Sequence, residues 1–208
     1  CTSPEAYAAC HHLPGWYDRL RGHTPESVWV PGHPPAVVDC LAALRRLPAG
    51  GAIVKDYVKS WKHRWEEACF IPDVRDEAHA ASVIAAMLRL QGEDLRGGVV
   101  LRVLAPLAVV GRHPDSGMPL AEEVRTFVFR GTPLVSAPYW SGVATALPPP
   151  GSLAPVLEQI DSPLYTVDQA RLADGSWTII EVGDGQVSGL QGILPGEFYT
   201  RLAADCAG

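Results

Sequence analysis

The stretch Tyr165–Gly185, YTVDQARLADGSWTIIEVGDG, decides how the chain is read. Two runs rich in β-branched and aromatic residues, Tyr165 to Leu172 and Trp177 to Val182, flank Asp174-Gly175, a dipeptide that favours tight hairpin turns. With Asp174 and Gly175 as the two central turn residues, position 173 pairs with 176, and every directly paired couple totals 349. Asp168 and Glu181 share that total, so the register sets two carboxylates opposite each other on one sheet face. Opposed like charges destabilise a sheet, and an apolar setting raises the cost. Something positive is expected between them. A hard divalent cation such as magnesium, held by carboxylates and phosphate oxygens, meets that need. A solvated face on which the two acids repel mildly through water is the other reading. Asp184, within Gly183-Asp184-Gly185, adds a third carboxylate on a flexible backbone.

Working outward, Val124 to Phe129 and Leu134 to Val135 read as strands around a turn at Arg130-Gly131, and Ala154 to Ile160 as a short helix. Val99 to Leu104 is an apolar strand interrupted by Arg102. Glu77 to Leu90 is the clearest helix, its wide apolar face formed by Ala80, Val83, Ile84, Met87, Leu88 and Leu90. Ala52 to Tyr57 is a short strand, followed by a basic and aromatic stretch from Lys59 to Trp65. Its part from Trp61 to Trp65, like Tyr139-Trp140, either lines an acceptor site or packs. In the first fifty residues turn signals cluster, and only Val37 to Leu47 has helical spacing. These patterns divide the chain into a lead-in or remnant of an upstream domain (1–49), a first subdomain (50–96) and a second carrying the acids (97–208).

The chain has 208 residues and a formal charge of −6, with 47% apolar and 19% charged residues. That composition describes a globular protein with a substantial core. The acidic balance argues against broad nucleic-acid binding, and no apolar run approaches the about 20 residues of a membrane span. Five cysteines without a C-x-x-C pair fit reduced thiols in a cytoplasmic protein. Cys1 in place of an initiating methionine is expected to mark a processed or trimmed product. Cys10-His11-His12 reads as a loop. No G-x-x-x-x-G-K-[ST] phosphate loop exists, and too little chain follows Gly183-x-Gly185-x-x-x-Gly189 for a dinucleotide-binding unit.

Lys55, Arg102 and Arg125 each interrupt a strand. Strand cations are seldom buried without a partner. Each alone reads as an edge gatekeeper or a structural ion pair, Arg125 with Glu122 or Glu123 for example. Together with an acidic metal site they suit a nucleoside triphosphate.

Four blocks then occur in one order: Lys55 to His63 (KDYVKSWKH), Gly98 to Arg102 (GVVLR), Glu122 to Phe127 (EEVRTF) and Ile180 to Ser188 (IEVGDGQVS). Together they resemble the ATP-grasp superfamily, in the clade named for paired arginines and a lysine. That clade includes the eukaryotic cell-division-cycle protein that assists assembly of a translation initiation factor. The resemblance implies an α+β, ATP-grasp fold, two subdomains with antiparallel sheets clasping ATP. It implies that Lys55 and Lys59 bind the nucleotide, Lys55 at the α- and β-phosphates, while backbone at Val103 and Leu104 holds adenine. Arg102 and Arg125 would be catalytic, contacting phosphates or an acyl-phosphate. Asp168 and Glu181 would ligate magnesium. A Glu-x-Asn motif completes that site in the wider superfamily; here Gly183 fills the Asn slot, and Asp184 is expected to substitute. The implied activity is an ATP- and Mg-dependent carboxylate–amine ligase that works through an acyl-phosphate and releases ADP. Its partners would be small-molecule or peptide carboxylates and amines, with a protein substrate as a further case. Two rivals stand beside it: a non-ligating ATP-binding assembly or chaperone module, and an unrelated α+β binding domain.

Overall fold

The structure is a computed structural model and describes residues 2–207; the expectation attached to Cys1 lies outside the described residues. In chain order the elements are α1 (Pro4–His11), α2 (Leu13–Trp16), β1 (Ser27–Pro31), α3 (Val37–Leu44), β2 (Ala52–Asp56), α4 (Trp65–Ala68), β3 (Phe70–Ile71), α5 (Glu77–Gln91), β4 (Gly98–Val103), β5 (Val109–Arg112), β6 (Pro119–Ala121), β7 (Glu123–Phe129), β8 (Thr132–Pro138), α6 (Ala154–Gln159), β9 (Leu164–Arg171), β10 (Trp177–Asp184) and α7 (Pro195–Ala207). Two compact units are built from interleaved segments. One takes Pro25–Ala105 and Arg112–Pro119; the other takes the segment ending at Thr24, Pro106–Gly111 and the chain from Leu120 onward. No helix among the described residues is long and apolar enough to cross a membrane.

The first of these units is a four-stranded antiparallel sheet in the order β1-β4-β2-β3. Strand alternation points Val28, Val99, Leu101, Ala52, Val54 and Ile71 to one side, where Leu44 of α3 and Ile84 and Met87 of α5 close the core. Helix α5 begins where Asp76 accepts a hydrogen bond from the His79 amide (3.0 Å) and ends at Gly92, whose φ is +54°. The sequence reading starts a new subdomain at residue 97. Here β4 begins at Gly98 and is hydrogen-bonded on both sides to β1 and β2 of the same unit. The lead-in expected over 1–49 is likewise divided between the two units. Strand β1 carries little sequence signal because it is a five-residue edge strand ending in a proline, amid turn signals. Its approach to β4 requires Gly98: a Cβ there would lie 2.2 Å from the Val30 carbonyl oxygen.

Asp56, fully buried at the end of β2, organises the turn that follows. Its Oδ1 accepts the amides of Val58 (2.6 Å) and Lys59, and its Oδ2 accepts Gln91 Nε2 (3.0 Å) and the Arg96 amide (3.3 Å). Four donors compensate the desolvation of one carboxylate.

The second unit is an antiparallel sheet in the order β10-β9-β7-β8. Phe127, Val135 and Ala137 on one face pack with Ile193 and with Phe198 of α7, the two phenyl rings 4.8 Å apart. Helix α7 has no counterpart in the sequence reading. Residues 23 and 24 brace the edge of β10. The Ile179 amide and Thr178 Oγ1 donate to the His23 carbonyl (2.9 and 3.1 Å), and Thr24 Oγ1 donates to the Ile179 carbonyl (2.8 Å). Cys10 and His11, expected in a loop, lie in helix α1, and His11 Nδ1 accepts the Asp184 amide (3.0 Å).

The two hairpins differ. Arg130 and Gly131 both have positive φ (+49° and +77°), giving the expected two-residue turn. The β9–β10 connection corrects the sequence reading: it is a three-residue loop, Ala173 to Gly175, closed by Leu172 N–H to Ser176 O (2.8 Å). The Asp174 carboxylate accepts the Ser176 amide (2.9 Å) and hydroxyl (2.6 Å), and Gly175 takes φ +89°. That local ring lengthens the turn by one residue. Pairs near the turn therefore run Arg171 with Trp177 and Gln169 with Ile179, until a bulge at Ile180 inserts one extra residue and Asp168 meets Glu181. An odd loop plus one bulged residue leaves the two acids paired, as an even loop without a bulge would.

Two outcomes are expected. Asp56→Ala should lower unfolding stability by about 3 kcal/mol or more, since four donors lose their acceptor; denaturant unfolding reads this, with Asp56→Asn milder. Burial is the main force pushing the thiols of Cys10, Cys40 and Cys69 up to about 11, so their thiolates form only as pH approaches that value. At pH 8 the folded protein should therefore expose one fast-reacting thiol among the described residues, the exposed Cys206. A thiol titration giving full stoichiometry without denaturant would contradict this.

Candidate functional site

Three adjacent strands of the second unit carry a row of charged side chains on one face. Register pairs Glu181 of β10 with Asp168 of β9, and Asp168 with Arg125 of β7. Glu123 lies two residues before Arg125, on the same face. Asp168 is 2% and Arg125 8% exposed. Arg125 Nε donates to Asp168 Oδ1 (2.8 Å) and Nη2 to Oδ2 (2.7 Å), a two-pronged ion pair. Nη1 donates to the Gly189 carbonyl (3.0 Å), and the guanidinium lies 4.9 Å from the centre of the Tyr139 ring. Burial works against the charged guanidinium, but the hydrogen bonds and charge of Asp168 outweigh it, with Tyr139 and Glu181 adding support. The net effect raises the Arg125 pKa further.

The partner expected for Arg125 is Glu122 or Glu123; both are engaged elsewhere. Glu122 pairs with Arg171 (3.2 Å), and Glu123 accepts Trp140 Nε1 (3.0 Å). The positive charge required beside the two acids is thus supplied, within this unit, by a side chain. Tyr139, read from the sequence as lining an acceptor site or packing, packs on that guanidinium; the Gly189 carbonyl was not identified from the sequence. Tyr139 follows β8 directly and its amide donates to the Glu123 carbonyl (2.8 Å), which brings the ring to Arg125.

Asp184 does not join this row. Three positions beyond Glu181 on a regular stretch of β10, it points to the opposite face. There its Oδ1 accepts the Gln186 amide (2.9 Å), while Oδ2 is buried with no hydrogen-bond partner among the described residues. Its main-chain carbonyl accepts Ser188 Oγ (2.8 Å). Gly183, by contrast, shares the face of Glu181. A Cβ at Gly183 would lie 2.9 Å from Thr166 Oγ1 and 3.0 Å from Ser188 Oγ. These two hydroxyls, hydrogen-bonded at 2.9 Å, fill the space a larger residue would need. Thr166 was legible as a same-face neighbour of Asp168; Ser188 lies beyond the strand, where no periodicity applies. Among the described residues no group of three His, Cys, Asp or Glu side chains converges as a metal site.

In the first unit, Lys55 and Arg102 share the sheet face turned away from α3 and α5, and both are buried. Lys59 follows β2, its backbone fixed by Asp56 and its side chain exposed. The Val103 amide donates to the Glu26 carbonyl and the Leu104 amide to the Gly51 carbonyl, both at 2.9 Å. Any base contact by these two residues therefore falls to their carbonyl groups.

Residues 46–202 match a family of ATP-grasp domains, the third family of the clade named for two arginines and a lysine. Comparison with curated proteins gave no match. Among solved structures, C-terminally truncated Cdc123 from Schizosaccharomyces pombe is similar at TM-score 0.59 and 13% identity, over 97% of this chain and 92% of that one. D-cycloserine synthetase DcsG is similar at 0.57 and 17%, over 95% and 70%. The D-alanine–D-alanine ligase from Bacillus anthracis, complexed with ATP, is similar at 0.55 and 18%, over 100% and 64%. At such identities these likenesses speak to fold alone. The family match spans most of the sequence and agrees with the two antiparallel sheets: the chain belongs to the ATP-grasp domains, in family 3 of the two-arginine, one-lysine clade.

Proposed function

We propose that the protein is an ATP- and magnesium-dependent carboxylate–amine ligase. The observation that carries the reading is the Glu181–Asp168–Arg125 row, set side by side on three strands of an ATP-grasp domain. The similar folds of the two ligases named above support it. In this reaction an oxygen of the substrate carboxylate attacks the γ-phosphorus of ATP, and the bond to the β-phosphate oxygen breaks to release ADP. An amine nitrogen then attacks the acyl-phosphate carbon, phosphate leaves, and the nitrogen loses a proton.

The donor set fits magnesium through two carboxylates. Magnesium takes one or two carboxylates together with phosphate oxygens and water, which Asp168 and Glu181 satisfy and Asp184, on the other face, does not. Glu123 stands on the same face, two residues before Arg125. Bound there, the ion would neutralise charge on the phosphates. Lys55 and Arg102 would hold phosphate oxygens, the lysine as a point charge and the arginine in a fork. Three of the five N–H groups of Arg125 are engaged by Asp168 and Gly189, leaving two to meet charge that develops on the transferred phosphoryl group. Small or peptide carboxylates and amines are the substrate class; PsnB, an ATP-grasp ligase solved in complex with a precursor peptide, makes the peptide case concrete for that protein.

One observation favours a second reading, a nucleotide-binding assembly module without ligation. The chain spans 92% of truncated Cdc123 but 64% of the D-alanine–D-alanine ligase.

Glu181→Gln should weaken magnesium-dependent ATP binding about tenfold or more, measured by calorimetry with and without chelator. An unchanged affinity would remove Glu181 from the metal site. Asp168→Asn should do the same but also cost about 3 kcal/mol of stability by stranding buried Arg125, so the denaturant midpoint must accompany that measurement. Nucleotide products formed with a panel of amino acids and peptides decide the reaction: ADP dependent on both carboxylate and amine is expected. Bound ATP with no turnover on any pair would favour the assembly module, and AMP would indicate adenylation.

A further inference from the structure

A groove of about 360 Å³ opens where the loop after β2 meets the C-terminal end of α5. We infer that this groove recognises acidic peptide segments. Its walls include Lys59, Trp61, His63, Gln91, Asp94 and Arg96. Two permanent cations and a histidine thus face one acid, in a chain whose formal charge is −6. Arg96 and Asp94 form a loose ion pair at 3.9 Å, both side chains well exposed. Such a pair holds its partners weakly. Arg64 and Arg89 nearby are engaged differently, both by Glu67 (3.1 and 3.0 Å).

The groove is built rather than incidental. Trp61 Nε1 donates to Gln91 Oε1 (2.8 Å), and Gln91 Nε2 donates to the buried Asp56 carboxylate (3.0 Å) and the Asp94 carbonyl (3.1 Å). The same Asp56 fixes the amides of Lys59 and Arg96. One buried carboxylate therefore positions the indole wall and the backbone of both cations. His63 packs on Trp61 in a tilted arrangement, with ring centres 4.9 Å apart. An indole wall flanked by separated cations suits a segment with carboxylates on either side of an apolar or aromatic residue.

Phosphate is the other source of negative charge. Two features favour carboxylates. Lys55 and Arg102 lie on the sheet face turned away from α5, whereas the groove is formed by the end of α5 itself. The carbonyls at that helix end carry partial negative charge, which opposes a dense triphosphate more than a single carboxylate. The inference stands on this geometry and holds whether the domain ligates or assembles.

The test is fluorescence anisotropy on the full chain with a labelled octapeptide of alternating Glu and Phe, against its Gln counterpart. The Glu peptide should bind at least about fivefold tighter at low salt, and the difference should shrink at high salt. Arg96→Glu should weaken it about fivefold and Asp94→Lys should tighten it; both exposed substitutions should leave the unfolding midpoint in place. Equal affinity for the Gln peptide, or variants that fail to move affinity in opposite directions, would overturn the inference. So would tripolyphosphate displacing the peptide at lower concentration than a soluble Glu-rich competitor, which would make the groove a phosphate site.

Discussion

A guanidinium buried in the middle of a β-sheet is the constraint around which the second unit is organised. Arg125 lies on β7 with a strand on each side, so it cannot reach water by leaning over an edge. Its charge must be met inside, and Asp168 on the neighbouring strand meets it with both oxygens. That requirement ties β7 to β9 in one register. The same carboxylate then faces Glu181, a contact that would repel without the guanidinium beside it. Tyr139 and the Gly189 carbonyl complete the enclosure, so the chain after β10 and the end of β8 are positioned by the same cation. In the proposed chemistry Asp168 holds this cation and also serves as a metal ligand, which places structural and chemical demands on one side chain.

Asp56, Asp184, Asp168 and Glu181 fall into two kinds. Asp56 and Asp184 accept main-chain amides at the ends of strands and shape the turns that follow. Asp168 and Glu181 lie mid-strand, where neighbouring amides are engaged by the sheet, and depend on side-chain charge instead. Position along the strand decides which kind an aspartate becomes.

This distinction explains what the sequence could tell. Helix α5 and the principal strands were legible because each carries its own periodicity and end signals. The Asp168–Glu181 pairing was legible through spacing, although the turn assumed for it was one residue too short; the bulge at Ile180 compensates, and nothing in a run of isoleucines announces a bulge. The place of Asp184 was also available, since a residue three beyond Glu181 on a strand faces the other way, and strand alternation alone separates it from the pair. The partner of Arg125 was not available, because it depends on β9 lying beside β7, a pairing between strands 43 residues apart. Edge strand β1 and helix α7 were hidden by turn-forming residues at their starts, which read as loop until the partner surface is known.

The interleaving of the two units bears on how the chain is made. Residues 23 and 24 find their hydrogen-bond partners 155 positions later, at Thr178 and Ile179, while β1 immediately after them waits only for β4. On a ribosome, the unit holding β1 to β4 can close while the remainder is still being synthesised. Helices α1 and α2 pack on β10, a strand made much later, so the burial of Trp16 and Leu20 seen in the finished protein waits for it. Vectorial synthesis thus imposes an order, and the segment translated earlier is among the last to dock.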